Sequence, residues 1–276
     1  MSRYRSTTLF VGACISACAA TACAPHHTPA AADETAALAE DGTDASEVES
    51  QSSSLTASFV LGAGSTTDAG QAATTATAAR AFFTAGCLRT RVDAAQKTAV
   101  HDLTDCGGPW GLVHVTGTVT LIYESVTTPD GRPALRVDVS GTGLKLNRSI
   151  ADYNATAVIA ADGLAREMHW TGHIAGTTAR GRAYTRDADW TVRWTAGEPC
   201  IALDGTATGT VMNRTIQTTV SDYRRCKNDC PAAGGRIVVQ NTRTSAEVSI
   251  DYDGGDSATF TEANGRTVHI ALACGL

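Results

Sequence analysis

From Gly86 onward apolar and polar residues take turns along the chain. Val113, Val115, Val119, Leu121 and Tyr123 alternate with His114, Thr116, Thr118 and Thr120. Leu135, Val137 and Val139 alternate with Arg136 and Asp138, and Met168, Trp170 and Ile174 with Glu167, His169, Thr171 and His173. Trp190, Val192 and Trp194 alternate with Thr191 and Arg193. A period of two puts successive side chains on opposite faces of a strand, one apolar and one wet. Turn signals fall between these runs at Pro129-Asp130-Gly131, Ala161-Asp162-Gly163, Asp253-Gly254-Gly255 and Asn264-Gly265. The pattern predicts one all-β domain over 55–276, an antiparallel meander or curved sheet of eight or more strands, barrel-like or sandwich. Ahead of the strands, the alanine-rich run from Asp68 to Phe83 predicts one short helix.

The strands carry a weak internal repeat, offset by 66 residues. Thr142 to Ile150 matches Thr208 to Ile216, and Leu135, Val137 and Asp138 correspond to Ile201, Leu203 and Asp204. The alignment predicts two equivalent hairpins, 134–160 and 200–226, with Asn147-Arg148 and Asn213-Arg214 at their tips. Cys200 and Cys226 stand where the first copy has Ala134 and Ala160, so both cysteines are absent from that copy together. That coincidence predicts a bridge between them. Cys87 and Cys106 flank another hairpin, centred near Gln96, and predict a second bridge. Cys230 and Cys274 remain for a third, with Cys226 and Cys230 near enough to exchange roles. Six cysteines allow fifteen pairings; the first two bridges follow from matching heights on hairpin arms, and the third rests partly on elimination. A zinc site on Cys226-x3-Cys230 is disfavoured, since the usual knuckle is Cys-x2-Cys and exported thiols oxidise.

The N-terminus places the domain in such an oxidising compartment. Arg3 and Arg5 precede an apolar run from Thr7 to Ile15, too short for the ~20 residues of a membrane-spanning helix. Ile15-Ser16-Ala17-Cys18 then resembles the lipobox of bacterial lipoproteins, in which the cysteine takes a diacylglycerol and becomes the first mature residue. Ala20-Thr21-Ala22-Cys23 is a second, weaker match. The resemblance implies a signal peptide over 1–17 and a lipid anchor on Cys18, or alternatively Cys23. Alanine follows both cysteines, which implies the outer membrane. The chain also resembles predicted bacterial lipoproteins over Cys106 to Gly117 and from Cys230-Pro231 to Cys274, about half of the β-domain. That resemblance implies export and β structure and brings no assigned activity.

The charge divides unevenly. Of the net −6, residues 19–54 carry seven acids and no Lys or Arg, whereas 55–276 hold 20 basic and 21 acidic side chains. The β-domain therefore has no basic field for nucleic acid. Residues 18–54 lack the aromatic residues of a core and predict a disordered acidic linker, with a typical reach of ~35 Å.

Candidate chemistry is sparse. His169 and His173 have the i, i+4 spacing of a helical zinc site but lie on a strand, where ~13 Å separates their Cα atoms. Asp251, Asp253 and Asp256 have the composition of a calcium loop without its glycine register. Gly62-Ala63-Gly64-Ser65 is no phosphate fingerprint, and His26-His27 is a weak metal motif in a tail. No G-x-S-x-G, H-E-x-x-H or P-loop motif occurs. The expectation is no catalytic residue, metal or cofactor, and no transmembrane barrel, since aromatic residues make up only 5% of the chain. An enzyme with dispersed Ser, His and Asp is the least favoured class. A lipid-anchored envelope protein with a structural or interaction role is the leading expectation. The alternative is a carrier for an apolar ligand on the curved sheet, lined by Trp170, Trp190 and Trp194. A filled concave side favours the first and an apolar cavity the second.

Overall fold

The computed structural model describes residues 66–108, 114–195, 200–226 and 229–272, together with Leu38, Asp41, Leu55, Thr56 and 58–60. The signal, both candidate lipidation cysteines, 61–65, Val113 and Cys274 lie outside these residues.

Among the described residues a helix α1 (Ala69–Thr75) runs into a 3-10 segment (Ala76–Phe82). Asp68 caps it, accepting the Gln71 amide at 2.7 Å, as an N-cap aspartate should. Thirteen strands follow: β1 (Leu88–Asp93), β2 (Thr98–Gly107), β3 (His114–Thr127), β4 (Pro133–Leu146), β5 (Ser149–Asp162), β6 (Ala165–Thr177) and β7 (Ala183–Thr195). Then come β8 (Cys200–Val211), β9 (Arg214–Cys226), β10 (Arg236–Asn241), β11 (Glu247–Tyr252), β12 (Ser257–Thr261) and β13 (Thr267–Ala271). They form one sheet in sequence order, each antiparallel to the next. The sheet is open, with β1 and β13 at its two edges, so it is neither a closed barrel nor a sandwich.

The register agrees with the alternation. Val115, Val119, Leu121 and Tyr123 face inward from β3, Leu135, Val137 and Val139 from β4, Met168, Trp170 and Ile174 from β6. These join Val211, Ile216, Val239 and Val248 in a single buried cluster that reaches from β2 to β11. Laid flat at ~4.8 Å per strand, ten strands would spread over nearly 50 Å. One short helix is only ~10 Å wide. A common core across that span requires the sheet to curl around what it covers, as twisted sheets do.

Three bulges shape the long strands by one device. A residue with positive φ is inserted in one strand, and the side chain of the single residue opposite accepts its amide. Asp105 (φ 48°) donates to Thr116, Gly143 (φ 61°) to Asp152, and Asp222 (φ 51°) to Asp204, at 3.0, 2.7 and 2.7 Å. The last decides a disulfide. Near the β8–β9 tip, Gly205 pairs with Val220, but beyond the extra residue Leu203 pairs with Tyr223 and Cys200 with Cys226. Without the insertion Cys200 would face Arg225. Ala134 pairs with Ala160 in the first hairpin, so the repeat holds at its base. It slips at its tips: the first turns at Asn147-Arg148, the second at Met212-Asn213, one residue before the aligned pair. In each the first turn residue, Asn147 or Met212, takes the positive φ that a tight hairpin needs.

Cys200–Cys226 and Cys87–Cys106 are disulfides, with Cα atoms 3.9 and 5.2 Å apart. Cys230 is also disulfide-bonded, and its expected partner Cys274 lies outside the described residues. The Cys200–Cys226 bridge spans 26 residues. Changing both to serine is expected to cost roughly 2–3 kcal/mol through the unfolded state while the β signal in circular dichroism persists. Urea unfolding measures it; loss of the sheet itself would mean that the bridge, not the ladder, holds the register.

Candidate functional site: the inner face and its occupant

The inner face of the sheet is not empty. Besides α1, it covers Leu38, Leu55 and Phe59, all at most 1% exposed, and the carboxylate of Asp41, fully buried. These residues are helical and belong, Asp41 apart, to the sheet's own core cluster. The acidic linker is thus corrected at two positions. Leu38 and Asp41, expected in a disordered spacer, are packed parts of the domain. The composition argument failed because one leucine and one aspartate suffice when the opposite wall supplies the rest of the contact.

Polar contacts fasten these residues to the sheet. Asp41 stands between two hairpin ends of the sheet, its Oδ1 2.7 Å from Arg182 Nη1 and its Oδ2 accepting from Arg214 Nη1 at 2.7 Å. Arg182 lies in the β6–β7 turn and Arg214 opens β9, so one end of the trough carries both guanidinium groups. Thr56 hydrogen-bonds the Tyr153 hydroxyl, which also accepts from Trp170 Nε1 at 3.1 Å. Burial pushes the Tyr153 hydroxyl far above its ordinary range, while the Thr56 and Trp170 bonds oppose the shift. Phe59 stacks on His101 of β2, centroids 4.5 Å apart and planes 12° apart. His101 is fully buried, with Nδ1 2.9 Å from Thr90 Oγ1 and Nε2 without a partner. Desolvation lowers its pKa to about 4, against a smaller opposing pull from Asp102.

A second buried polar group lies farther along. Arg186 of β7, fully buried, donates to the carbonyls of Ile216 and Ala207 at 2.8 and 3.3 Å and to Thr218 Oγ1 at 2.8 Å. Sequence reading passed over His101 and Arg186. The available signal was parity: His101 shares a face with Ala99 and Leu103, and Arg186 with Tyr184, Ala188 and Trp190. The expected ring of tryptophans is partly there. Trp170 and Trp190 are buried on the inner face, and Trp194 packs half-buried against the same core.

The outer face keeps the other candidates apart. His169 pairs with Asp189 at 2.9 Å and His173 with Asp187 at 2.7 Å, each half-exposed on its own carboxylate across β6 and β7. Asp251 pairs with Arg236 at 3.0 Å. Asp253 closes the β11–β12 turn, accepting from Ser257 Oγ at 2.6 Å and the Gly255 amide at 2.8 Å. Those two bonds hold its carboxyl below the usual carboxylate range. Among the described residues no three His, Cys, Asp or Glu side chains converge as a metal would need. Two shallow depressions also lie on the outer face. One, of about 370 Å³, sits beside Arg132, Glu167 and Arg193; the other, of about 560 Å³, beside Asp138, Asn154 and His173. Their charges are already paired in chains, Arg132–Glu167–Arg193–Asp204 at 3.4, 3.0 and 2.8 Å and Glu124–Arg136–Asp138 at 3.4 and 3.1 Å.

Fold and site together define an open, curled antiparallel meander, stapled by disulfides and wrapped around a segment of its own chain. No family model, curated protein or solved structure matches the chain.

Proposed function

We propose that this is a cell-envelope lipoprotein, anchored through Cys18 in the outer membrane and presenting a stapled β-domain in a structural or interaction role. The observation that carries the reading is the pair of disulfides in a domain that follows the Ile15-Ser16-Ala17-Cys18 quartet. Such bridges persist in oxidising compartments, and small residues before a cysteine suit lipid transfer. A filled inner face and a salt-laced outer one fit an interaction module better than a catalyst.

Replacing Cys18 by serine is expected to move the protein from the membrane pellet to the soluble fraction of disrupted cells. Retention in the pellet by the Cys18→Ser variant, with release by Cys23→Ser, would shift the anchor to Cys23. Retention by both would end the lipoprotein reading. The carrier reading draws on a separate observation, the two arginines at the mouth of the apolar inner face.

A further inference from the structure

We infer that the depression beside Arg193 and Arg224 is a binding site for an acidic saccharide, a short sugar chain bearing carboxylate or phosphate. The inference names a partner for the interaction reading and rests on that reading, not on the lipid anchor.

The depression, of about 370 Å³, has the volume of a small-ligand site. It reaches the place where the strands stop, for Asp162 closes β5, Ala165 opens β6, Thr195 closes β7 and Cys200 opens β8. Four arginines line it, Arg132, Arg166, Arg193 and Arg224, against two carboxylates, Asp162 and Glu167. Glu167 already joins Arg132 to Arg193. Arg166 donates to the carbonyls of Gly163 and Ala165 and, among the described residues, to no carboxylate. Arg224 is exposed, and among the described residues its side chain meets no partner. Two positive charges of the site are thus left for an anion.

The second hairpin is built to set Arg224 there. The inserted Asp222 shifts β9 by one residue, so that Arg224 and not Tyr223 faces Ala202. Bulges commonly re-aim a side chain in this way beside a site. Arg193 faces Ala202 from the other side, so two arginines flank one methyl group with their Cα atoms ~10 Å apart. Asp204 ties the parts together. Its Oδ1 accepts the Asp222 amide at 2.7 Å, and its Oδ2 accepts from Arg193 Nη1 at 2.8 Å. The Cys200–Cys226 bridge closes the ladder two residues beyond. The first hairpin has neither the bridge nor the arginine: Ala134 pairs with Ala160, and Val158 takes the aligned place.

The mixture of groups selects a sugar over a bare anion. Planar guanidinium groups bind carboxylate or phosphate through paired hydrogen bonds. Asp162, which accepts no hydrogen bond among the described residues, repels an inorganic anion but can accept from sugar hydroxyls. Trp194 and Ile201, opposite each other on β7 and β8, also line the depression and add apolar surface, and Ile201 is 48% exposed.

The test is calorimetric titration of the full-length chain, disulfides intact in an uncharged polyoxyethylene detergent, with trigalacturonate at low ionic strength. Saturable binding is expected, and Arg224→Gln is expected to raise the half-saturation concentration about tenfold, the worth of one charge-assisted contact. The side chain is exposed, so the variant is expected to keep the melting temperature of the parent. Arg148→Gln, at the tip of the first hairpin, is expected to leave binding unchanged. Maltotriose, neutral and of equal length, is expected to bind roughly tenfold more weakly, and sulfate is expected not to compete at equal concentration. Glucose 6-phosphate binding in place of trigalacturonate, with the same loss in Arg224→Gln, would support the assignment and make the anionic group a phosphate. No saturable binding of either acidic sugar, equal binding of maltotriose, competition by sulfate, or an equal loss in Arg148→Gln would overturn it. None of these outcomes touches the fractionation of Cys18→Ser cells, so the envelope reading and the saccharide site fail separately.

Discussion

Replacing Asp41 by alanine is expected to destabilise the protein by roughly 3–4 kcal/mol and to expose the N-terminal segment to protease before the sheet unfolds. The carboxylate is fully buried between Arg182 and Arg214, each 2.7 Å away. Its removal leaves the Arg214 guanidinium without the carboxylate it donates to and takes a buried charge from beside Arg182, and breaking a buried pair from one side typically costs ~3–5 kcal/mol. Arg214 is one-third exposed and solvent relieves part of that, which sets the estimate at the lower end. For a domain of this size each kcal/mol shifts Tm by ~2–4 °C, so a fall of about 10 °C is expected in a thermal melt. Exchange of arginines for neutral residues on both sides together with Asp41 is expected to recover much of the loss. An Asp41→Ala protein with unchanged Tm and unchanged proteolysis would mean that the segment does not dock as described.

The second large effect is pH-dependent and belongs to His101. Its pKa in the folded protein, about 4, lies below the 6.5 of an unfolded histidine. The unfolded chain therefore binds the proton first as pH falls, and folding stability drops between pH 6.5 and 4, where the unfolded state holds more protons. The shift corresponds to about 3 kcal/mol, absent above pH 7 and complete below pH 4. The structural reason is local. The ring lies between Phe59 and the sheet, with Thr90 on one nitrogen and nothing on the other, so an added charge has no partner there. Urea midpoints measured at pH 7, 5.5 and 4.5 are expected to fall steadily, and less steeply for His101→Phe. Carboxylates held below their usual range, such as Asp253, add their own acid dependence in both proteins, so the difference between the two curves is the quantity to read. Identical slopes would contradict a buried neutral His101.

The strands were legible because they alternate. Val115 to Tyr123 and Met168 to Ile174 face inward as their period implies, and the turns at Asp130-Gly131 and Asn264-Gly265 sit where hairpins require them. The Cys200–Cys226 bridge was legible from the paired loss at Ala134 and Ala160. Its exact register depended on the bulge at Asp222, and a positive-φ aspartate leaves no distinct mark among many in the sequence. Two features escaped for a single reason: their partners are remote. Asp41 is one acid among seven in its stretch until Arg182 and Arg214, more than 140 residues away, meet it at one end of the trough. Leu38 and Leu55 look isolated because a segment that fills a trough borrows its core from the surrounding sheet and shows no periodicity of its own. Closure of the sheet was likewise not encoded in any one strand. Whether β13 returns to β1 depends on accumulated twist and curl, which alternation does not report.

The measurement that bears most directly on an envelope lipoprotein is mass spectrometry of the mature N-terminal peptide from protein extracted out of membranes. The expected result is a chain beginning at Cys18, with residues 1–17 removed and a diacylglyceryl group on the cysteine sulfur. An unmodified N-terminus, with Cys18 and Cys23 both free of lipid, would contradict it.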